Sequence, residues 1–153
     1  MTEEQLMSQE KFEELTKELE RRKTVLRKEI TDALEFAKQL GDLSENFEYH
    51  DAKERQGENE HRIHQIDTML KNAKIVEEQT GGTKIEVGSK FVAEKGGQEI
   101  TFQIVGSQDA NPVEGKISNE SPIGEAFLGA QVGDAINVDT PSGAVQYTVK
   151  SIL

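Results

Sequence analysis

The 153-residue sequence has no cysteine, no tryptophan, three prolines and 5% aromatic residues. Without cysteine there is no disulfide framework, no thiolate metal site and no thiol nucleophile, so any metal must be held by oxygen or imidazole. Imidazole is scarce as well: His50, His61 and His64 stand among polar residues and read as solvated helix positions. No apolar run approaches the roughly 18 residues a membrane span needs, and the N-terminus lacks the basic and apolar regions of a signal peptide. No membrane partner and a cytoplasmic location are therefore expected. Positive charge is also short. A net charge of −11 excludes indiscriminate nucleic-acid binding, which requires many phosphates to be neutralised by Lys and Arg. With 34% hydrophobic and 31% charged residues there is little material for one large core, which points to an elongated part.

What the sequence does have is helical periodicity in its first half. From Phe12 the apolar or long-stemmed positions fall at Phe12, Leu15, Leu19, Arg22, Leu26, Ile30, Ala33, Ala37 and Leu40, close to alternating steps of three and four. A second run follows at Ala52, Gln56, Asn59, Ile63, Ile66, Leu70 and Ala73. Thr2-Glu3-Glu4-Gln5 has the form of a capping box for the first. Two such runs joined by a short turn make an antiparallel helical hairpin. Towards its apex Gln56 and Asn59 replace large aliphatics, and polar seam residues fix register at a cost in stability. The span from Phe12 to Asp42 reaches about 45 Å by helix rise. Residues 1 to 75 hold 13 of the 18 Lys and Arg, most of them reading as a solvated face with i,i+4 ion pairs. Lys53 and Arg55, within about three turns of the apex, could instead meet an RNA phosphate.

At the apex lies Gly41-Asp42-Leu43-Ser44-Glu45-Asn46-Phe47-Glu48-Tyr49. Gly41 stops the first run. Asp42-Leu43-Ser44-Glu45 fits a capping box, with the Asp42 side chain accepting a backbone amide and Glu45 reaching back. Ser44 is an equally good cap, which would free Asp42 and Glu45 to project together from the hairpin end.

Beyond Ala73 the pattern changes, through a polar linker over 77–83 to alternating apolar and polar residues. The alternation predicts strands near Lys84–Val87, Lys90–Glu94, Glu99–Val105, Ala135–Asp139 and Val145–Ile152. Gly96-Gly97 and Ser142-Gly143 form the hairpin turns. Ser121 as N-cap, Pro122 at the first helical position and Gly129 past the end predict one short helix. The reading is an α+β chain with a hairpin over 1–76, a linker over 77–83 and a small antiparallel sheet with one helix over 84–153, the last folding alone from about Thr83. No nucleophile–base pair stands out in the sheet half.

Gly41-Asp42-Leu43-Ser44-Glu45-Asn46 with Glu48-Tyr49, supported by Gly115-Lys116-Ile117-Ser118, Ser121-Pro122-Ile123-Gly124 and Gly133-Asp134, resembles the bacterial transcript cleavage factors of the Gre family, over nearly the whole chain. The low basicity matches the GreA-like branch. The resemblance implies a coiled-coil hairpin entering the secondary channel of RNA polymerase and an FKBP-like domain docking on its exterior. It also implies an accessory factor, not an enzyme itself, that stimulates cleavage of backtracked nascent RNA near its 3′ end. Asp42 and Glu45 then correspond to ligands of the second Mg²⁺ of the polymerase site, shared with polymerase and not held stably by this chain alone. Ser44 matches the same motif as an orienting residue, and Ser121 and Pro122 match the segment that grips polymerase. Phe47 departs from the small residue usual at its position, which is expected to change how the tip packs. A non-catalytic inhibitor occupying the same channel is the alternative. A prolyl isomerase or chaperone is disfavoured, because only Tyr147 among tyrosines follows residue 76 and no aromatic-lined pocket is evident.

Overall fold

Ser8 starts the first helix: its hydroxyl accepts the Lys11 amide at 3.1 Å, satisfying one of the amides that every helix start leaves without a partner. The computed structural model describes residues 4–153. From this cap, α1 (Gln9–Arg21), a π-helical turn (Arg22–Leu26) and α2 (Arg27–Gln39) run on as one helix of about 46 Å by rise. The expected capping box does not start it. Thr2 and Glu3 lie outside the described residues, and Gln5–Met7 is a strand, β1. The returning helix, α3 (Phe47–Lys71), packs on α2.

The seam of this hairpin falls on the two predicted runs. Leu15, Ile30 and Ala37 are buried on one side, and Ala52, Asn59, Ile63 and Ile66 on the other. The first run has one irregularity, two successive steps of four at Arg22, Leu26 and Ile30. The π turn lies there. An extra residue in the helix returns the apolar face to its partner beyond the slip.

The polar seam residue Asn59 is 4% exposed and reaches into that turn. Its Nδ2 donates to the Arg22 carbonyl at 3.1 Å, and its Oδ1 accepts from Arg22 Nη1 at 3.1 Å. The Arg22 carbonyl also accepts the Arg27 amide from five residues on. Around this point Glu18 accepts from Arg22 at 3.2 Å and from Arg62 at 2.9 and 3.3 Å. Arg27 forks onto Glu60 at 2.8 and 2.9 Å. Arg22, Arg27 and Arg62 are thus engaged in ion pairs.

The second half is a curled five-stranded sheet of order β5-β4-β3-β7-β6, built from β3 (Lys90–Lys95), β4 (Gln98–Val105), β5 (Lys116–Ser118), β6 (Ala135–Thr140) and β7 (Gly143–Ile152). It is mixed, not purely antiparallel, because β5 pairs with β4 in parallel. The helix α4 (Pro122–Phe127) supplies Phe127 to a core with Phe91, Phe102 and Tyr147, the Phe91 and Phe127 rings 4.8 Å apart. Lys84–Val87 is not a strand. Gly88 turns the chain at φ +98°, and Ile85 instead exchanges backbone bonds with Gly129 and Ala130 after α4, at 2.8 and 2.9 Å.

The division of the chain differs from the expected 1–76, 77–83 and 84–153. Phe12–Asn72 forms one compact unit, while the segment ending at Lys11 joins Ala73–Leu153 in the other. The cause is a parallel pairing of β1 with β2 (Ala73–Ile75), which buries Met7 completely. Ser8 extends this attachment, donating its amide and hydroxyl to Asp109 at 2.8 and 2.7 Å. The linker is bonded too, with the Gln79 amide on the Gly88 carbonyl at 3.0 Å and the Gly81 amide on the Leu153 carbonyl at 2.7 Å.

Candidate functional site

The hairpin ends in a turn tighter than an α-helix. Gly41, at φ +123°, lets the chain leave α2, and Leu43–Glu45 forms one 3₁₀ turn with Asp42 as its N-cap. Asp42 Oδ1 accepts the Ser44 amide at 3.0 Å and the Ser44 hydroxyl at 2.9 Å. Of the two ways of reading the tetrapeptide, Asp42 is therefore the cap and Ser44 serves it. Glu45 does not reach back; it makes no hydrogen bond or ion pair with the described residues. Asp42, at ψ 119°, caps the 3₁₀ turn and Glu45 is its last residue, so the two carboxylates bracket one short turn.

Both donors from Ser44 favour the charged form of Asp42. The backbone amide is the larger influence and the hydroxyl the second, and together they hold the carboxyl below the ordinary aspartate range despite slight desolvation. Oδ2 of Asp42 makes no hydrogen bond with the described residues. The apex thus presents a free carboxylate oxygen on Asp42 and an unengaged carboxylate on Glu45, both exposed. They are hard oxygen donors of the kind Mg²⁺ prefers. Among the described residues no group of three or more His, Asp or Glu is placed to hold a metal, so a divalent ion here would need donors from elsewhere.

Asn46 closes the turn. Its Oδ1 accepts the Tyr49 amide at 3.1 Å as the N-cap of α3, and its Nδ2 donates to the Ala37 carbonyl at 2.6 Å. Behind it, His50 Nε2 lies 3.3 Å from the Ser44 carbonyl. Sequence reasoning gave Asn46 no role at the site; an Asn directly before a helix signals the cap, but nothing local signals the bond back to α2. Phe47 follows at 78% exposure and does not pack into the turn.

The remaining sequence-derived residues lie away from the carboxylates. Lys53 and Arg55 are on α3, about 12 and 15 Å beyond Glu45 by helix rise, both exposed, with Lys53 Nζ donating to Gln56 at 3.3 Å. Ser121 and Pro122 belong to the other unit. The Ser121 hydroxyl accepts the Gly124 amide at 3.1 Å and donates to the Ser118 carbonyl at 2.6 Å, and Pro122 opens α4. Gly124 completes the motif for a steric reason, since a Cβ there would run into the Ser118 carbonyl. Tyr147 and the phenylalanines fill the sheet's core and so line no open aromatic pocket.

Residues 5–75 match the family Transcription elongation factor, N-terminal, and residues 79–153 match Transcription elongation factor, GreA/GreB, C-term. The chain is 46% identical to transcription elongation factor GreA of Macrococcus caseolyticus, covering 94% of this chain and 92% of that one. It is also 46% identical to GreA of Clostridium acetobutylicum, over 95% and 99% of the two chains. The solved GreA factor homolog 1 of Thermus thermophilus is 30% identical, covers 98% of this chain and 99% of its own, and superposes with a TM-score of 0.43. The acidic hairpin and the curled sheet thus belong to a transcription elongation factor of the GreA/GreB family, GreA-like in the sequence relatives it matches.

Proposed function

We propose that this chain inserts its helical hairpin into the secondary channel of bacterial RNA polymerase and stimulates endonucleolytic cleavage of backtracked nascent RNA. The observation that supports this reading is the apex itself, where two exposed carboxylates with unengaged oxygens bracket one short 3₁₀ turn at the end of the hairpin. The chain acts as an accessory factor, and the reaction belongs to polymerase.

Asp42 and Glu45 are the residues that would hold Mg²⁺, with the other ligands coming from polymerase and RNA. When bound, that ion stabilises charge on the attacking and leaving oxygens of phosphodiester hydrolysis. Ser44 holds the Asp42 carboxylate ionised and oriented. Lys53 and Arg55 lie where they could meet phosphates of the RNA 3′ segment, positioning it without reading its sequence. Ser121 and Pro122 sit at a rigid helix start in the sheet unit and serve in gripping polymerase, so that the tip acts at a raised effective concentration.

The test is incubation of the protein with a stalled, backtracked elongation complex, followed by sizing of the RNA. Shortened transcripts that resume elongation are expected. Slowed elongation with uncut RNA would instead assign the chain to channel inhibition.

A further inference from the structure

We propose that Asn46 is a positioning residue for the tip carboxylates, a staple whose cross-hairpin bond keeps Asp42 and Glu45 in cleavage geometry. The inference rests on the role given to those carboxylates above.

Each end of Asn46's amide meets a backbone group that a helix terminus leaves open. The last carbonyls of a helix and the first amides of the next lack partners within their own helices. Nδ2 donates to the carbonyl of Ala37, which also receives the Leu40 amide, and so grips the end of α2. Oδ1 accepts the Tyr49 amide and so grips the start of α3. The amide carries its donor and its acceptor on separate atoms, so its two bonds can reach two different elements, which the single oxygen of a hydroxyl cap does over a shorter span. The two bonds, at 2.6 and 3.1 Å, fix the distance that the segment between Ala37 and Asn46 must bridge, and both carboxylates lie in it. Among the described residues, the side-chain hydrogen bonds of the turn from Gly41 to Glu45 are otherwise the Asp42–Ser44 bonds, internal to it, and the His50–Ser44 approach at 3.3 Å. Without the bond to Ala37 the 3₁₀ turn would still form but would be tied to α2 only through the chain at Gly41, a residue that tolerates many conformations.

Serine separates the two functions of Asn46. It caps a helix about as well as asparagine but is too short to reach the Ala37 carbonyl as a donor. In Asn46→Ser the saturating cleavage rate should fall about tenfold or more, because misplacement by an ångström can cost that much, while the half-saturating concentration on the elongation complex stays unchanged. Backbone ¹⁵N order parameters of residues 42–45 in the free protein should fall, with the helical circular dichroism intact. A variant that cleaves at the wild-type rate overturns the proposal, whether or not the turn has loosened. If serine should lower the helical signal, Asn46→Asp decides by the same readouts, since it caps equally well and cannot donate. Asp42→Asn/Glu45→Gln is measured alongside. If it is inactive while Asn46→Ser is fully active, only the staple falls; if it cleaves normally, the carboxylate reading and the staple fall together.

Discussion

Asp42 keeps its charge at a lower pH than an ordinary aspartate because the Ser44 amide, and after it the Ser44 hydroxyl, bind the carboxylate. A depressed native value means the cap's contribution to folding is fully present above the unfolded aspartate value, near 4, and is lost as pH falls through the native one. A carboxyl titration by NMR should therefore place Asp42 below the ordinary range. Ser44→Ala, which removes the hydroxyl and leaves the amide, should raise it only part of the way; an unchanged midpoint would show that the hydroxyl does not contribute. At Gly124 the constraint is steric. Gly124→Ala should cost about 1–3 kcal/mol in the thermal melt, because the Ser118 carbonyl occupies the space of the new methyl. These two residues differ in how far they could be read in advance. The Asp42 cap is local and was one of two legible alternatives, whereas the Gly124 clash involves a carbonyl six residues back that only the folded loop brings near.

Along the hairpin, the seam was legible almost residue by residue, because burial every three or four positions is a property of one helix and needs no knowledge of the partner. Asn59 was visible as a polar interruption, but the π turn, where two consecutive steps of four fall, and its joining to Asn59 through the Arg22 carbonyl were not legible. A polar seam residue of this kind sets register while costing stability. Asn59→Leu should accordingly raise the melting temperature of the arm, while duplicated NMR resonances around residues 22–26 report mixed register. A lowered melting temperature would mean that the bonds to Arg22 outweigh the apolar gain. The neighbouring Glu18 is held below the ordinary glutamate range, first by the Arg62 hydrogen bond, against the opposing effect of burial, with Arg22 assisting. Its contribution is present above the unfolded glutamate value, near 4.3, and disappears as pH falls through the lowered native value. The helical signal should melt at lower temperature across that window, and Arg62→Gln should flatten the dependence.

At the level of the whole molecule, the order of hairpin and sheet could be read from the change of period after Ala73, but the unit boundaries could not. Strands β1 and β2 are three residues each, too short to show an alternation, and they pair across more than sixty residues of intervening hairpin. The parallel β5 was hidden for the same reason. A fragment beginning at Thr83 lacks Met7, β2 and the backbone bonds of Gln79 and Gly81, so it should unfold at a lower temperature than one beginning at Val76, and both should fall below the full chain. Equal melting temperatures would show that these attachments carry no stability. The central claim is that the molecule delivers two carboxylates to another protein's reaction, and the charge-removing double variant tests it most directly. Asp42→Asn/Glu45→Gln keeps size and capping ability but removes the negative charge that Mg²⁺ requires. With a backtracked elongation complex and saturating factor, RNA cleavage should fall steeply and recover partly at high Mg²⁺, with polymerase affinity and helical signal unchanged. Undiminished cleavage by that variant would contradict the account and leave Asp42 as a helix cap alone.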